Sequence, residues 1–169
     1  MKGFDWRKGL LSVLLCFTLV MAGCQTKLPS QFAQAQKEST ARNAPPAVVK
    51  DATQGSEFNK FFPKAQAGYD RVYTQEKKGF AEAKLNKDGK NVAMLAVSDT
   101  KSLPAAASKY ETATEKIAGY PAVDLGTTQT GVLVGHYQVK VISKAPEFDR
   151  TDRVTWIQKF DLNGLSKLK

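Results

Sequence analysis

The chain has 169 residues, which is room for one folded domain, an export signal and a linker. Hydrophobic residues make up 42% of it, enough for a packed core, and the formal net charge is +9. Residues 1–23 hold three basic residues and one acidic residue, so the remainder carries +7. This balance suits anionic partners such as phosphate-bearing lipids, lipopolysaccharide or an acidic protein, and a solvated surface without a specific partner is the alternative.

The first 24 residues have the three-part pattern of a cleaved export signal. Residues 1–8 are basic, residues 10–21 are an apolar run, and the small residues Ala22 and Gly23 precede Cys24. A transmembrane helix needs about 20 apolar residues, so this run is too short to span a bilayer. We therefore predict a signal peptide over residues 1–23. Export makes nucleic acid an unfavourable partner.

The sequence Val20-Met21-Ala22-Gly23-Cys24 resembles the lipobox of bacterial lipoproteins. The resemblance implies that the Cys24 thiol receives diacylglycerol and that a signal peptidase cuts between Gly23 and Cys24. It also implies that the new amino terminus is acylated, for example with palmitate. Met21 stands where the family usually has Leu. Two or three acyl chains anchor a protein stably, because each buried CH₂ contributes ~0.8 kcal/mol.

Cys24 is the only cysteine expected in the mature chain, because Cys16 lies in the apolar run. No disulfide is then available, and the domain must be stable by packing alone. Gln25 takes the place of the Asp that retains some lipoproteins in the inner membrane, so we expect the outer membrane, with the domain facing the periplasm. A plain secretory signal followed by a chance cysteine is the alternative.

Residues 24–54 are predicted to be the lipidated N-terminus and a flexible tether. The segment is rich in Gln, Ala, Ser, Thr, Lys and Pro, and Pro45-Pro46 breaks any helix there. A flexible coil of about 30 residues spans roughly 30 Å root-mean-square. The globular domain is expected to occupy residues 55–169.

The first half of the domain has the pattern of three strands, at residues 71–76, 79–85 and 91–98. Asp88-Gly89 between the last two is a strong hairpin signal. Residues 92–97 are apolar on both faces, which predicts a central or doubly covered strand.

Two helices flank these strands in the prediction. A short one begins near Ser56 and carries Phe58, Phe61 and Phe62. A longer one begins at Ser102 and ends at Gly119, because apolar residues recur there at helical spacing. That stripe consists of Leu103, Ala106, Tyr110, Ala113 and Ile117.

The second half repeats the plan, with strands predicted at residues 121–125, 131–134 and 136–142 and a helix capped by Asp149 or Thr151. The expected fold class is α+β: a two-layer domain with an antiparallel sheet of four to six strands and two or three helices mainly on one face. Comparable landmarks lie 40 and 42 residues apart, which hints at a duplicated strand-strand-helix unit.

Catalytic chemistry finds little support in the sequence. His136 is the only histidine and no Gly-x-Ser-x-Gly motif precedes it, so we expect no catalytic residue. One histidine and no free cysteine predict no metal site, and no nucleotide-binding glycine motif is present, so no cofactor is expected. A hydrolase that uses carboxylates such as Glu82 and Asp124 is one alternative.

Lysines surround the first predicted hairpin and are the candidate contact with an anionic surface. They are Lys77, Lys78, Lys84, Lys87 and Lys90. Lysines in such positions also protect a sheet edge from aggregation without binding anything. The leading hypothesis is a non-enzymatic binding or accessory module for a membrane protein complex or an anionic envelope polymer. A small-ligand or lipid carrier is the other alternative.

Overall fold

The computed structural model describes residues 51–66 and 68–168. They lie within one compact unit, which spans Pro46–Lys169. The lipobox, Cys24 and residues 24–50 of the predicted tether lie outside the described residues.

The described part of the chain forms one antiparallel sheet with three α-helices and two 3-10 helices. The strands are β1 (Tyr69–Lys77), β2 (Phe80–Lys87), β3 (Lys90–Asp99), β4 (Glu115–Ile117), β5 (Tyr120–Asp124), β6 (Gln129–Val134) and β7 (Tyr137–Ser143). The α-helices are α1 (Pro104–Ser108), α2 (Arg150–Gln158) and α3 (Leu162–Ser166), and the 3-10 helices are Gly55–Phe61 and Thr100–Ser102.

The sheet joins two meanders. Its strand order is β1-β2-β3-β7-β6-β5-β4, so β3 and β7, the last strands of the two meanders, pair at the centre. The α+β class and the antiparallel sheet are confirmed. The expected four to six strands are wrong, because the sheet has seven; the additional strand is β4.

The predicted long helix from Ser102 to Gly119 is also wrong. Helix α1 ends at Ser108, and Ile117 lies in β4, where it pairs with Tyr120 and is buried. The turn between β4 and β5 consists of Ala118 and Gly119, whose φ angles are 51° and 87°. Gly119 therefore adopts the left-handed conformation that was expected of it, but it closes a hairpin and not a helix.

The core lies between one face of the sheet and the helices. All six residues 92–97 of β3 are buried, as predicted for a central strand covered on both sides. On the helix side the sheet packs against aromatic and aliphatic side chains: Phe58, Phe61, Phe62, Trp156, Ile157, Phe160 and Leu165. Asp149 caps the N-terminus of helix α2, and its side chain accepts from the Asp152 amide in a capping box. This confirms one of the two predicted caps.

Packing begins earlier in the chain than the predicted domain boundary. Ala52 is buried, and the Thr53 amide donates to the Asp99 carboxylate at 3.2 Å. The Thr53 hydroxyl lies 2.9 Å from the Tyr137 hydroxyl, and its carbonyl accepts from the Gly79 amide at 2.6 Å. Residues 52–54 are therefore part of the folded domain.

The 3-10 helix Gly55–Phe61 holds the β1–β2 hairpin in place. It matches the predicted short helix and buries Phe58 and Phe61, although it starts after Gln54 without a side-chain cap. A Cβ atom on Gly55 would lie 2.5 Å from the carbonyl oxygens of both Lys77 and Phe80. Only glycine allows the helix to approach the hairpin backbone this closely.

Replacing Gly55 with Ala should therefore destabilise the domain. We expect a loss of about 1–3 kcal/mol, the usual cost of overpacking, because the methyl group meets backbone that has no freedom to rotate away. Urea unfolding of the Gly55→Ala protein measures this loss, and Ser56→Ala, a change at the neighbouring exposed residue, serves as the control. Equal midpoints for the two variants would contradict the close contact.

Candidate functional site

The structure does not bring the five predicted lysines together. Lys77 and Lys78 lie at the turn between β1 and β2, whereas Lys87 and Lys90 lie at the turn between β2 and β3. These turns are at opposite ends of the eight-residue strand β2, roughly 23 Å apart at ~3.3 Å per residue. Lys84 lies between them, exposed on β2.

Two of the five lysines share a pocket with a third lysine that the sequence reasoning did not select. Lys77 and Lys78 line a cavity of about 230 Å³ together with Lys140 of β7. We call this cavity the lysine pocket. Its other lining residues are Gly79, Phe80, Ser98, Asp99, Thr100, Ser102, Leu103, Ala106 and Gln138.

Strand pairing places Lys140 in the pocket. Side chains alternate along β7, so Val139 and Val141 enter the core, and Gln138 and Lys140 point to the opposite face. Ser98 of β3 pairs with Gln138. The alternation of β7 predicts its polar face from the sequence, but the pairing with β3 joins segments about 40 residues apart. No local pattern shows that Lys140 adjoins the first hairpin.

The lysine pocket has an excess of positive charge. Three lysines and one carboxylate, that of Asp99, line it. The Asp99 carboxylate accepts hydrogen bonds from the backbone amides of Lys101, at 3.0 Å, and Thr53. Burial lowers the pKa of Lys140, and nearby Lys109 lowers it further, against a smaller opposite effect of Glu82. Within residues 51–66 and 68–168, Lys140 forms no salt bridge.

Apolar groups form the rest of the pocket wall. Phe80 is half-buried beneath the Lys77 ammonium, which lies 5.2 Å from the ring centroid. Leu103 and Ala106 contribute from the segment around α1. The pocket therefore combines cationic groups with an apolar surface, the combination that binds an anionic group attached to an apolar one. At about 230 Å³ the pocket has room for a phosphate or carboxylate group.

Buried Tyr110 supports the polar side of the pocket from behind. Its hydroxyl accepts a hydrogen bond from the Gln138 amide at 2.9 Å, and Gln138 lines the pocket. Burial raises the pKa of Tyr110 to about 12, although the bond from Gln138 acts in the opposite direction. A Cβ atom on Gly131 would collide with the Tyr110 hydroxyl, so this glycine provides the space in which the ring lies.

The single histidine lies near the pocket but does not line it. The His136 ring is 4.0 Å from the Tyr137 ring, and its Nε2 atom is buried without a hydrogen-bond partner. Burial lowers the pKa of His136, as does Lys101, while Asp99 acts in the opposite direction. Burial and Lys101 thus both favour the neutral imidazole.

A second polar cluster joins α2 to the other half of the sheet. Arg153 is 4% exposed and donates to the hydroxyls of Thr130 and Ser143, each at 2.9 Å. Thr130 donates to the Asp124 carboxylate, which also accepts from Arg150 at 2.6 Å. The same Arg150 side chain binds Glu115 of β4. These bonds tie helix α2 to β4, β5, β6 and β7.

The two carboxylates named for a hydrolase do not form a pair. Glu82 lies on β2 and Asp124 on β5, which are four strand positions apart in the sheet. At about 4.8 Å between strands this separates them by roughly 19 Å, well beyond the ~5–9.5 Å of glycosidase pairs. Burial raises the pKa of Asp124, but the hydrogen bonds from Arg150 and Thr130 outweigh it and leave the pKa below its usual value.

The structure adds two observations on metal and membrane binding. Among the described residues, no group of three or more His, Cys, Asp or Glu side chains is placed to hold a metal ion. No helix in this part of the chain is long and apolar enough to cross a membrane.

Comparisons with protein-family models, with curated proteins and with solved structures found no match for the chain.

The Asp124 cluster should make stability depend on acidity. Because the folded-state pKa of Asp124 lies below its unfolded value of about 3.9, its charge stabilises the fold above that pH, and this contribution is lost as the pH falls through the folded pKa. Urea unfolding at pH 6 and at pH 2 should show a stability difference between wild type and Asp124→Asn that shrinks on acidification.

The control for this experiment is Asp70→Asn, at an exposed position on edge strand β1. It should show little difference from wild type at pH 6. If the free energy of unfolding of the wild type exceeds that of Asp124→Asn by the same amount at both pH values, the charge of Asp124 does not contribute to stability.

Proposed function

We propose that this chain is a lipid-anchored lipoprotein of the bacterial cell envelope whose folded domain is a non-enzymatic binding module. In this proposal the signal peptide is removed before Cys24, and lipid on that residue holds the protein on the periplasmic side of a membrane, with the outer membrane favoured. The domain acts as an accessory to a membrane protein complex or an anionic envelope component. The lysine pocket is the observation that carries the binding function.

The pocket supports anion binding because lysines outnumber carboxylates in its lining. Lys77, Lys78 and Lys140 border one opening, and the only lining carboxylate, Asp99, is engaged by two backbone amides. An anion in the opening would offset the cost of holding the Lys140 ammonium in a partly buried position. The bound group would be a phosphate or carboxylate presented by the partner.

A small-ligand carrier is the second candidate, and the apolar lining of the pocket favours it. Phe80, Leu103 and Ala106 offer a surface to the apolar part of a ligand. The space between the sheet and the α2–α3 side is filled by packed rings and aliphatic chains, so a carried ligand would occupy the lysine pocket. Native mass spectrometry of purified protein separates the candidates, since a carrier would retain a bound small molecule.

The anchor is tested by replacing Cys24 with Ser. We expect the variant to fold and to leave the membrane fraction, because the thiol that would receive diacylglycerol is gone. Fractionation of cells followed by immunodetection measures this, and Cys16→Ser, which alters only the predicted signal, should stay in the membrane. A Cys24→Ser protein that remains in the membrane fraction would exclude a lipid anchor on Cys24.

The binding function is tested by recovering partners from detergent-solubilised membranes at low salt. We expect the wild-type lipoprotein to bring down a membrane protein complex or an envelope polymer. Reversal of two charges, Lys77→Glu with Lys140→Glu, should reduce recovery about tenfold or more, because juxtaposed like charges cost more than ~1.4 kcal/mol.

The matched control is Lys116→Glu, which also reverses the charge of an exposed lysine but lies on β4, at the far edge of the sheet. It should recover the partner as the wild type does. Recovery of the lipoprotein alone from every sample would count against the binding module.

A further inference from the structure

An apolar segment lies exposed beside the lysine pocket. Residues 103–107 read Leu-Pro-Ala-Ala-Ala, and helix α1, which begins at Pro104, has no buried residue. Leu103 is 62% exposed and is one of two exposed large hydrophobic residues in the described part of the chain, the other being Val72. Folding has thus left a leucine and a short alanine helix in contact with solvent.

Five lysines lie beside this segment, two along the chain and three across the pocket. Lys101 precedes it and Lys109 follows it, both exposed. Lys77, Lys78 and Lys140 border the pocket that Leu103 and Ala106 help to line. We call these five lysines together with residues 103–107 the basic–apolar face.

The net positive charge of the domain is concentrated on this face. Residues 51–168 contain 17 Lys and Arg and 14 Asp and Glu, a net charge of +3 with histidine neutral. The face contributes five lysines; Glu82 interacts with Lys140, and Asp99 lines the pocket that the face includes. Without these five lysines, residues 51–168 hold 12 basic and 14 acidic side chains, a net charge of −2.

The composition of the face fits a lipid surface better than a protein surface. Protein interfaces are enriched in arginine, tyrosine and tryptophan and depleted in lysine, and they present aromatic anchors. Every basic residue of this face is a lysine, and its most exposed large side chain is an aliphatic one. Lysines around a small exposed apolar segment are the pattern of proteins that rest on anionic bilayers.

We infer that the domain docks through the basic–apolar face onto a bilayer that contains anionic phospholipid. Leu103 enters the boundary between headgroups and acyl chains, a lipid phosphate occupies the lysine pocket, and Lys101 and Lys109 contact neighbouring headgroups. This inference rests on the proposed function, because the phosphate is placed in the same pocket. It names the partner of that pocket as the membrane lipid itself.

The test uses residues 24–169 with Cys24→Ser, the predicted mature chain without its lipid, which retains the whole folded unit. Co-flotation is measured with vesicles of phosphatidylcholine alone and of phosphatidylcholine mixed with phosphatidylglycerol. We expect binding only to the mixed vesicles, and weaker binding as salt is raised. Each removed lysine should weaken it about fivefold, so Lys77→Gln with Lys140→Gln should lose about 25-fold.

Two further variants separate the apolar part from the charges. Leu103→Ser, at an exposed position where folding is not at risk, should weaken vesicle binding roughly tenfold, because a leucine side chain no longer enters the interface. Lys116→Gln removes one lysine outside the face and should bind as the parent protein does. Equal vesicle binding by the parent and by Leu103→Ser would overturn the inference.

Inorganic pyrophosphate distinguishes failure of this inference from failure of the proposed function. One outcome is that pyrophosphate binds the parent but not the double lysine variant, while the parent does not bind mixed vesicles. The pocket is then an anion site, and the inference of docking onto lipid is wrong. Absence of binding to both probes overturns the lipid surface and removes the observation that carries the binding module. Vesicle binding that needs both the pocket lysines and Leu103 supports the inference.

Discussion

The pairing of β3 with β7 is the interaction on which the rest of this molecule depends. Seven residue pairs, from Ala93 with Ser143 to Asp99 with Tyr137, join the two meanders into a single sheet. The pairing places Leu95 and Val97 beside Val141 and Val139 on the core face, all four with no more than 1% of their surface exposed. On the opposite face it places Gln138 and Lys140 next to the first hairpin, and so creates the lysine pocket.

Several hydrogen bonds between distant parts of the chain meet at the Asp99 end of this strand pair. Asp99 accepts from Thr53 and Lys101, its own amide donates to the Gly79 carbonyl, and Thr100 donates to the carbonyl of His136. A buried carboxylate bound by backbone donors fixes the spacing between the start of the domain, the first hairpin and β7. This network positions the pocket lysines, although none of their ammonium groups takes part in it.

Local signals in the sequence predicted local structure well. The Asp88-Gly89 turn has φ angles of 49° and 76°, as its type requires, and Asp149 caps α2. The prediction of a long helix over residues 102–119 was wrong. The apolar residues near Ile117 are compatible with either a helix or a strand, and only the pairing of β4 with β5 selects the strand. Six of the seven strands were located from alternation and turns, since those patterns act over a few residues.

The candidate site was predictable only in part, for a similar reason. Clustering in sequence suggested five lysines, but β2 carries two of them to its far end, and the lysine that completes the pocket lies more than 50 residues from Lys84 in the chain. The lipid anchor, in contrast, is a matter of five consecutive residues, and it stays a prediction because Cys24 lies outside the described residues. A site made of residues close together in the chain can be predicted from the sequence, whereas a site assembled by long-range strand pairing cannot.

Strand β3, apolar on both faces, also constrains the order in which the chain can fold. Its partners on β7 lie 38 to 50 residues further along the chain, while β2 lies beside it across a two-residue turn. The first meander can therefore close early, because short loops close at low entropic cost, and β3 is then a bare sheet edge until β7 is in place. An edge that is hydrophobic on both sides is an aggregation hazard, so the speed with which the second meander forms sets how long the nascent domain is vulnerable.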